Sequence, residues 1–185
     1  LFCAPSSHDD VLVIDPGGGG GGGGGDASVS FIPTGVSGFA KWSGVAACAG
    51  KVWCAPFNAE CCLVVDPATN TASTFAPTAL RNLGGEESYK DHDHGGWVGI
   101  AECGGKLYCA PSSAPCVLVI DPAGGDGGAP AVSAIGLGAM GHGEAKWAGI
   151  AECGGRLFCA PSHHSKVLVI DPRAADGGPP TVSYI

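Results

Sequence analysis

Five and three residues ahead of a recurring tryptophan, this chain places side chains that could hold a metal ion. The pairs are Ser37 and Phe39 before Trp42, His92 and His94 before Trp97, and His142 and Glu144 before Trp147. Imidazole nitrogens with a carboxylate suit zinc or a similar divalent ion. Asp91 and Asp93 flank His92, where they could ligate directly or orient the ligands. The plainer reading is that Asp91-His-Asp-His94 is a solvated polar loop. Glu102 and Glu152 share a second register, at which an earlier copy has Ala47. They read either as ligand-binding carboxylates facing a channel or as solvated rim residues. His163-His164 and His8-Asp9 occupy a third pair of matching positions and read as surface polar residues. No Gly-x-Ser-x-Gly elbow, His-Glu-x-x-His helix or phosphate loop is present, so the sequence assigns no catalytic residue.

A repeat must position these groups. Trp42-Ser-Gly-Val-Ala, Gly50-Lys-Val-Trp-Cys-Ala-Pro56 and Cys62-Leu-Val-Val-Asp-Pro67 recur as a set. The second set is Trp97-Val-Gly-Ile-Ala, Gly105-Lys-Leu-Tyr-Cys-Ala-Pro111 and Val117-Leu-Val-Ile-Asp-Pro122. The third is Trp147-Ala-Gly-Ile-Ala, Gly155-Arg-Leu-Phe-Cys-Ala-Pro161 and Val167-Leu-Val-Ile-Asp-Pro172. A truncated copy opens the chain with Leu1-Phe-Cys-Ala-Pro5 and Val11-Leu-Val-Ile-Asp-Pro16. The aspartates at 15, 66, 121 and 171 are 51, 55 and 50 residues apart.

Each set predicts four short strands. Gly104-Gly105 and Gly154-Gly155 are two-residue hairpin signals, because glycine tolerates positive φ. The nearly all-apolar third strand suits a sheet covered on both faces. No window carries a sustained helical period. Four-stranded units at this spacing predict the blades of an all-β propeller. The expected blades run approximately 1–33, 41–76, 96–136 and 146–185, within a single domain, 1–185. The first lacks its first strand, and 17–25 forms a glycine-rich loop. Val64-Val-Asp-Pro-Ala-Thr-Asn-Thr71 resembles the hairpin from strand three to strand four of kelch propellers, and equally that of YVTN or NHL propellers. Gly105 to Tyr108 is similar to strand two of both, although Cys-Ala-Pro stands where kelch blades carry Gly-Gly. So few blades, starting inside a strand-like segment at Leu1, predict part of a larger ring, with a closed four-bladed ring as the alternative. In a propeller, the linker before each Trp feeds the innermost strand, so the His92, His94, His142 and Glu144 register would converge beside the central opening.

The repeating residues have structural readings. Ten cysteines follow the repeat. If Gly104-Gly105 is the turn, Cys103 faces Lys106 and Cys109 faces Ile100, so their sulfurs point to opposite faces and cannot pair. Cys54, Cys109 and Cys159 are expected to be reduced, small hydrophobes between blades. Reduced thiols favour an intracellular compartment. The recurring Asp is expected to accept a backbone hydrogen bond and fix its turn. The recurring Trp is expected to pack between blades.

Composition narrows the functional classes. Seventeen acidic against nine basic residues give a net charge of −8. That balance excludes a nucleic-acid or anionic-membrane surface built on clustered Lys and Arg. Apolar runs such as Val117 to Ile120 are far too short to insert into a bilayer. The expected function is a non-catalytic scaffold binding a protein or small ligand through its face loops, with no cofactor. The alternative is a metal-dependent lactonase-like or lyase-like propeller enzyme carrying zinc or a similar ion. A repeat array whose function lies in further sequence is a third reading. An incomplete ring would also predict self-association.

Overall fold

A computed structural model describes residues 1–17, 26–75, 80, 83, 95–173 and 178–185. Among them the chain forms fifteen strands in four antiparallel sheets, each meandering from strand to adjacent strand. The first sheet contains β1 (Phe2–Cys3), β2 (Asp10–Asp15) and β3 (Ser28–Pro33). The second contains β4 (Trp42–Cys48), β5 (Lys51–Pro56), β6 (Cys62–Asp66) and β7 (Thr71–Phe75). The third contains β8 (Trp97–Cys103), β9 (Lys106–Pro111), β10 (Cys116–Asp121) and β11 (Ala131–Gly136). The fourth contains β12 (Trp147–Cys153), β13 (Arg156–Pro161), β14 (Leu168–Asp171) and β15 (Thr181–Tyr184). The glycine run expected as a loop lies, from residue 18 to 25, outside the described residues.

Two local devices set the register. Gly104 and Gly105 take φ of 63° and 80°, so Cys103 pairs directly with Lys106 across a two-residue turn. Cys109 pairs with Ile100, as the spacing predicts. At the turn between the last two strands of each sheet an aspartate closes the corner. Asp15, Asp66, Asp121 and Asp171 each accept, on Oδ1, the N–H two residues on, at 3.1, 2.9, 3.2 and 3.0 Å. Lys106 also reaches Asp121 at 3.0 Å, and its ammonium holds that carboxyl below the usual range.

Successive sheets bury each other's apolar sides. Phe2, Val11 and Val13 of the first sheet pack on Trp42, Val52, Cys54, Leu63 and Val65 of the second. Trp53, Ala55, Cys62 and Val64 of the second then pack on Trp97, Leu107, Cys109, Leu118 and Ile120 of the third. Tyr108, Ala110, Val117 and Val119 repeat the pattern against Trp147, Leu157, Cys159, Leu168 and Ile170 of the fourth. Each interior sheet thus has a leading face toward its predecessor and a trailing face toward its successor. The recurring Trp sits on the leading face, fully buried. Its indole N–H donates to a carbonyl nineteen residues on in the same sheet. Trp42 reaches Cys61 O at 2.7 Å, Trp97 reaches Cys116 O at 2.8 Å, and Trp147 reaches Lys166 O at 2.9 Å.

The first strands of the three complete sheets stand side by side, β4 against β8 and β8 against β12. The glycine of each Trp-x-Gly segment lies at a register shift there. Gly44 has φ of 75°, and a Cβ on it would stand 2.7 Å from Gly99 Cα. That contact is backbone and cannot swing aside. Positive φ alone costs a residue with a side chain about 1–2 kcal/mol. Gly44→Ala is therefore expected to lose about 2 kcal/mol or more in urea unfolding. Gly149→Ala, at the same register of the fourth sheet with open space around its Cβ, is the control expected to change little. Equal midpoints for the two variants would refute the close approach.

Candidate functional site

The register sorts all connections to two ends of the array. Trp42 pairs with Pro56, Trp97 with Pro111 and Trp147 with Pro161. The linker entering each first strand therefore shares an end with the loop between strands two and three. The tight hairpins and the aspartate turns lie at the opposite end. A relay of backbone hydrogen bonds runs across the loop end from sheet to sheet. Lys41 N–H donates to Ser6 O, Phe57 N–H to Lys41 O, Gly96 N–H to Phe57 O and Ser112 N–H to Gly96 O. Lys146 N–H donates to Ser112 O, and Ser162 N–H to Lys146 O. Distances along the relay are 2.8–3.0 Å. The residues at which the linkers meet the first strands, Lys41, Gly96 and Lys146, are thus fixed in place, as a binding surface built on loops requires.

The four described histidines all belong to the loop end. His8 Nδ1 accepts the Asp10 N–H at 3.1 Å, and its ring lies 5.7 Å from Phe31. His164 Nδ1 accepts the Lys166 N–H at 3.1 Å, and its ring lies tilted against Trp147 at 4.6 Å. His163 is exposed beside it. His142 follows the short 3-10 turn Gly138–Gly141 and is exposed, as is Glu144. The linker carrying both runs from the outermost strand of the third sheet to the first strand of the fourth, the route expected from the repeat. In the equivalent linker of the second sheet, Ser37 Oγ donates to Asp9 Oδ2 at 2.8 Å, and Phe39 is exposed. His92 and His94, with Asp91 and Asp93, lie outside the described residues. Among the described residues, no three His, Cys, Asp or Glu side chains come together as a metal site.

Glu102 and Glu152 lie at the other end. Glu102 Oε1 accepts the Gly105 N–H at 2.7 Å, and Glu152 Oε1 accepts the Gly155 N–H at 2.7 Å. Each carboxylate braces its own hairpin turn. The two share a register with each other, but not an end with the histidines. A groove of about 880 Å³ is also at this turn end, lined by Cys103, Lys106, Tyr108, Val119 and Arg173. Its volume is generous, but its lining includes no histidine. A groove of about 360 Å³ at the loop end takes in Ser37, Phe39, Lys41 and Glu60.

Two buried lysines were not singled out by the sequence reading. Lys41 Nζ donates to Ser6 O, His8 O and Gly38 O at 3.2, 2.9 and 3.3 Å, tying the linker to the first sheet. Lys146 Nζ donates to Gly143 O at 2.9 Å, under the segment that carries His142 and Glu144. Burial pushes the Lys146 amine down to about 8. The signal was the Lys-Trp pair at 41–42 and 146–147, interrupted by Gly96 in the middle copy. All ten cysteines are free thiols. Burial pushes Cys54 and Cys159 up to about 12 and raises Cys109 well above its ordinary value. These three are inert packing groups rather than nucleophiles.

Meandering four-stranded sheets stacked face to face, with first strands adjacent and loops gathered at one end, define a β-propeller array. Solved propeller structures of known name resemble it throughout. The chain superposes on a selenomethionine-substituted virginiamycin B lyase from Staphylococcus aureus with a TM-score of 0.67 at 11% identity. That match covers 100% of this chain and 50% of the lyase chain. A catalytically inactive histidine-to-alanine variant of the same lyase, solved with quinupristin, gives 0.62 at 13% identity, covering 96% and 49%. A streptogramin B lyase gives 0.62 at 12%, covering 100% and 50%. The chain therefore spans about half the length of the propellers it matches. No family model matches the sequence, and no curated protein matches it.

Proposed function

We propose that this chain is part of a propeller that binds a small molecule or protein on its loop end. The observation that carries this reading is that every described histidine sits on loops at one end, where a continuous hydrogen-bond relay joins the linker ends Lys41, Gly96 and Lys146. Loops on a rigid scaffold are where such folds place recognition. Within propellers, the Val64 to Thr71 hairpin favours a blade of kelch, YVTN or NHL kind, and that subclass is part of the proposal.

A second reading is favoured by the likeness to the two lyases. Here His142 and Glu144, with His92 and His94 from the preceding linker, hold zinc or a similar divalent ion. The ion would polarise a substrate carbonyl or activate water, and His142, Glu144, His92 and His94 would hold it. The described residues alone make no such group, so this reading depends on His92 and His94.

Quinupristin, the compound solved with one lyase, is the probe that separates the two readings. Incubation with and without zinc, followed by chromatography, reads turnover, and calorimetry reads binding. Binding without turnover, weakened at least tenfold by His142→Ala, is the result expected for a scaffold with this specificity. Zinc-dependent turnover lost in His92→Ala/His142→Ala establishes the enzyme. Neither binding nor turnover removes quinupristin-like ligands from both readings, and absence of zinc binding ends the second.

A further inference from the structure

The junction between the third and fourth sheets departs from the one before it in two side chains. Across the trailing face of the second sheet Ala46, Trp53, Val64 and Ser73 stand in one row, each paired with the next. Ala101, Tyr108, Val119 and Ser133 form the same row in the third. Trp53 fills its place with an indole, whose N–H donates to Cys48 O at 3.1 Å. Tyr108 puts a smaller ring there. The facing corner differs as well. The residue after each Asp-Pro pair is Gly17, Ala68, Ala123 and then Arg173, so a guanidinium enters at the fourth sheet where the others are small. Arg173 lies against the neighbouring hairpin, its Nη2 2.5 Å from where a Cβ on Gly155 would stand.

The groove of about 880 Å³ opens between these two changes, inside the chain and away from either end of the array. Val119, Ile135, Pro179 and Pro180 give it apolar walls. The charged residues described in its lining, Lys106 and Arg173, are both cationic. Carboxylates stand nearby, but each is engaged. Glu102, Glu152 and Asp171 accept turn N–H groups, and Asp121 holds Lys106 at 3.0 Å. Arg173 is therefore the group that meets an incoming anion. Tyr108 supplies a second sign of a ligand. It is 2% exposed, and among the described residues its hydroxyl makes no hydrogen bond. A buried hydroxyl without a partner is rare, because stripping it of water goes uncompensated.

We propose that this groove binds a small planar carboxylate with an apolar body. Arg173 takes the carboxylate on its guanidinium fork, a geometry that matches two oxygens in one plane. The Tyr108 hydroxyl donates to the ligand and gains the partner it lacks within the protein. Val119, Ile135, Pro179 and Pro180 cover the flat apolar part, as the walls of small-molecule sites do. The site lies at the turn end, opposite the histidines, and is independent of the loop-end reading.

Isothermal titration of the reduced chain with naphthoate, and with its neutral counterpart naphthylmethanol, tests the proposal. The parent is expected to bind naphthoate with a dissociation constant of about 1 mM or below, the range open to so small a ligand. The alcohol is expected to bind at least tenfold more weakly. Arg173→Ala installs the residue type that Ala68 and Ala123 provide in the other sheets, and is expected to weaken naphthoate at least tenfold. Tyr108→Trp installs the ring of Trp53 and is expected to abolish binding by filling the groove. Circular dichroism checks both folds, and Arg173→Ala decides the matter should the larger ring not be accommodated. No binding by the folded parent up to about 10 mM naphthoate overturns the proposal. So does unchanged affinity in Arg173→Ala, or equal affinity for the alcohol. Loss of binding in His142→Ala would put the probe at the loop end and overturn it too.

Discussion

Truncating Trp97 to alanine is expected to lower the stability of the fold by about 4 kcal/mol, enough to unfold much of the protein at 37 °C. Two losses add at this site. The indole is fully buried between the second and third sheets, among Trp53, Leu107, Leu118 and Ile120. Removing so large a buried ring typically costs about 3–5 kcal/mol through lost transfer energy and the cavity left behind. The Cys116 carbonyl also loses the indole N–H donor at 2.8 Å, and an orphaned buried acceptor costs about 1–3 kcal/mol. Trp97→Phe separates the two, keeping most of the volume and removing only the donor. Urea unfolding followed by far-ultraviolet circular dichroism measures both. An alanine variant within 1 kcal/mol of the parent would mean that the sheets do not bury this face against each other. Total stability of a domain is only about 5–15 kcal/mol, so one clasp is a large share of it.

The second large effect is alkaline. Cys54, Cys109 and Cys159 hold one register on successive leading faces, and burial raises all three thiols, Cys54 and Cys159 to about 12. In the unfolded chain they ionise near the ordinary value of 9.0. Between those limits the native state binds more protons than the unfolded state. Stability is therefore full below pH 9 and falls as pH rises toward 12. Each thiol contributes about 1.4 kcal/mol per pH unit in that window, so three contribute about 4. Lys146 works in the opposite direction. Its folded amine is pushed down to about 8, so the native state sheds that proton first and stability gains as pH rises from 8 toward the ordinary lysine range. One lysine offsets one thiol, and the balance remains destabilising. Tryptophan emission under a phosphine reductant is expected to report cooperative unfolding between pH 9 and 11. The triple variant Cys54→Ala/Cys109→Ala/Cys159→Ala should move that midpoint upward by about one unit or more. A parent protein that stays folded at pH 11.5, or a triple variant with the same midpoint, would refute the account.

The repeat was legible because its landmarks are side chains with single local causes. Gly104-Gly105 demands positive φ, and the structure puts a two-residue turn there. The four recurring aspartates each close their turn through the bond anticipated for them. Counting from the turn also placed Cys103 and Cys109 on opposite faces, and neither is paired. What escaped notice depends on groups that sequence does not distinguish. The acceptor of each tryptophan is a backbone carbonyl, supplied by Cys61, Cys116 and Lys166 alike. Gly44 read as an ordinary strand residue, since its reason is a neighbouring backbone 55 positions along the chain at Gly99. Glu102 and Glu152 read either as ligand-binding carboxylates or as solvated rim residues, because register alone does not tell which backbone groups a carboxylate meets. In the structure each accepts a turn N–H, from Gly105 and Gly155. The histidine register reached the expected linkers, but convergence across sheets depends on distances that spacing does not set. Half of the proposed ligand set, His92 and His94, also lies outside the described residues.

The indole of each complete sheet finds its carbonyl inside that same sheet. A segment from Trp to the end of its fourth strand thus travels with its own fastening and needs only generic greasy neighbours. Genetic duplication or loss of one such cassette would leave every remaining fastening intact. Lineages carrying this architecture are free to vary the number of units without redesigning any of them.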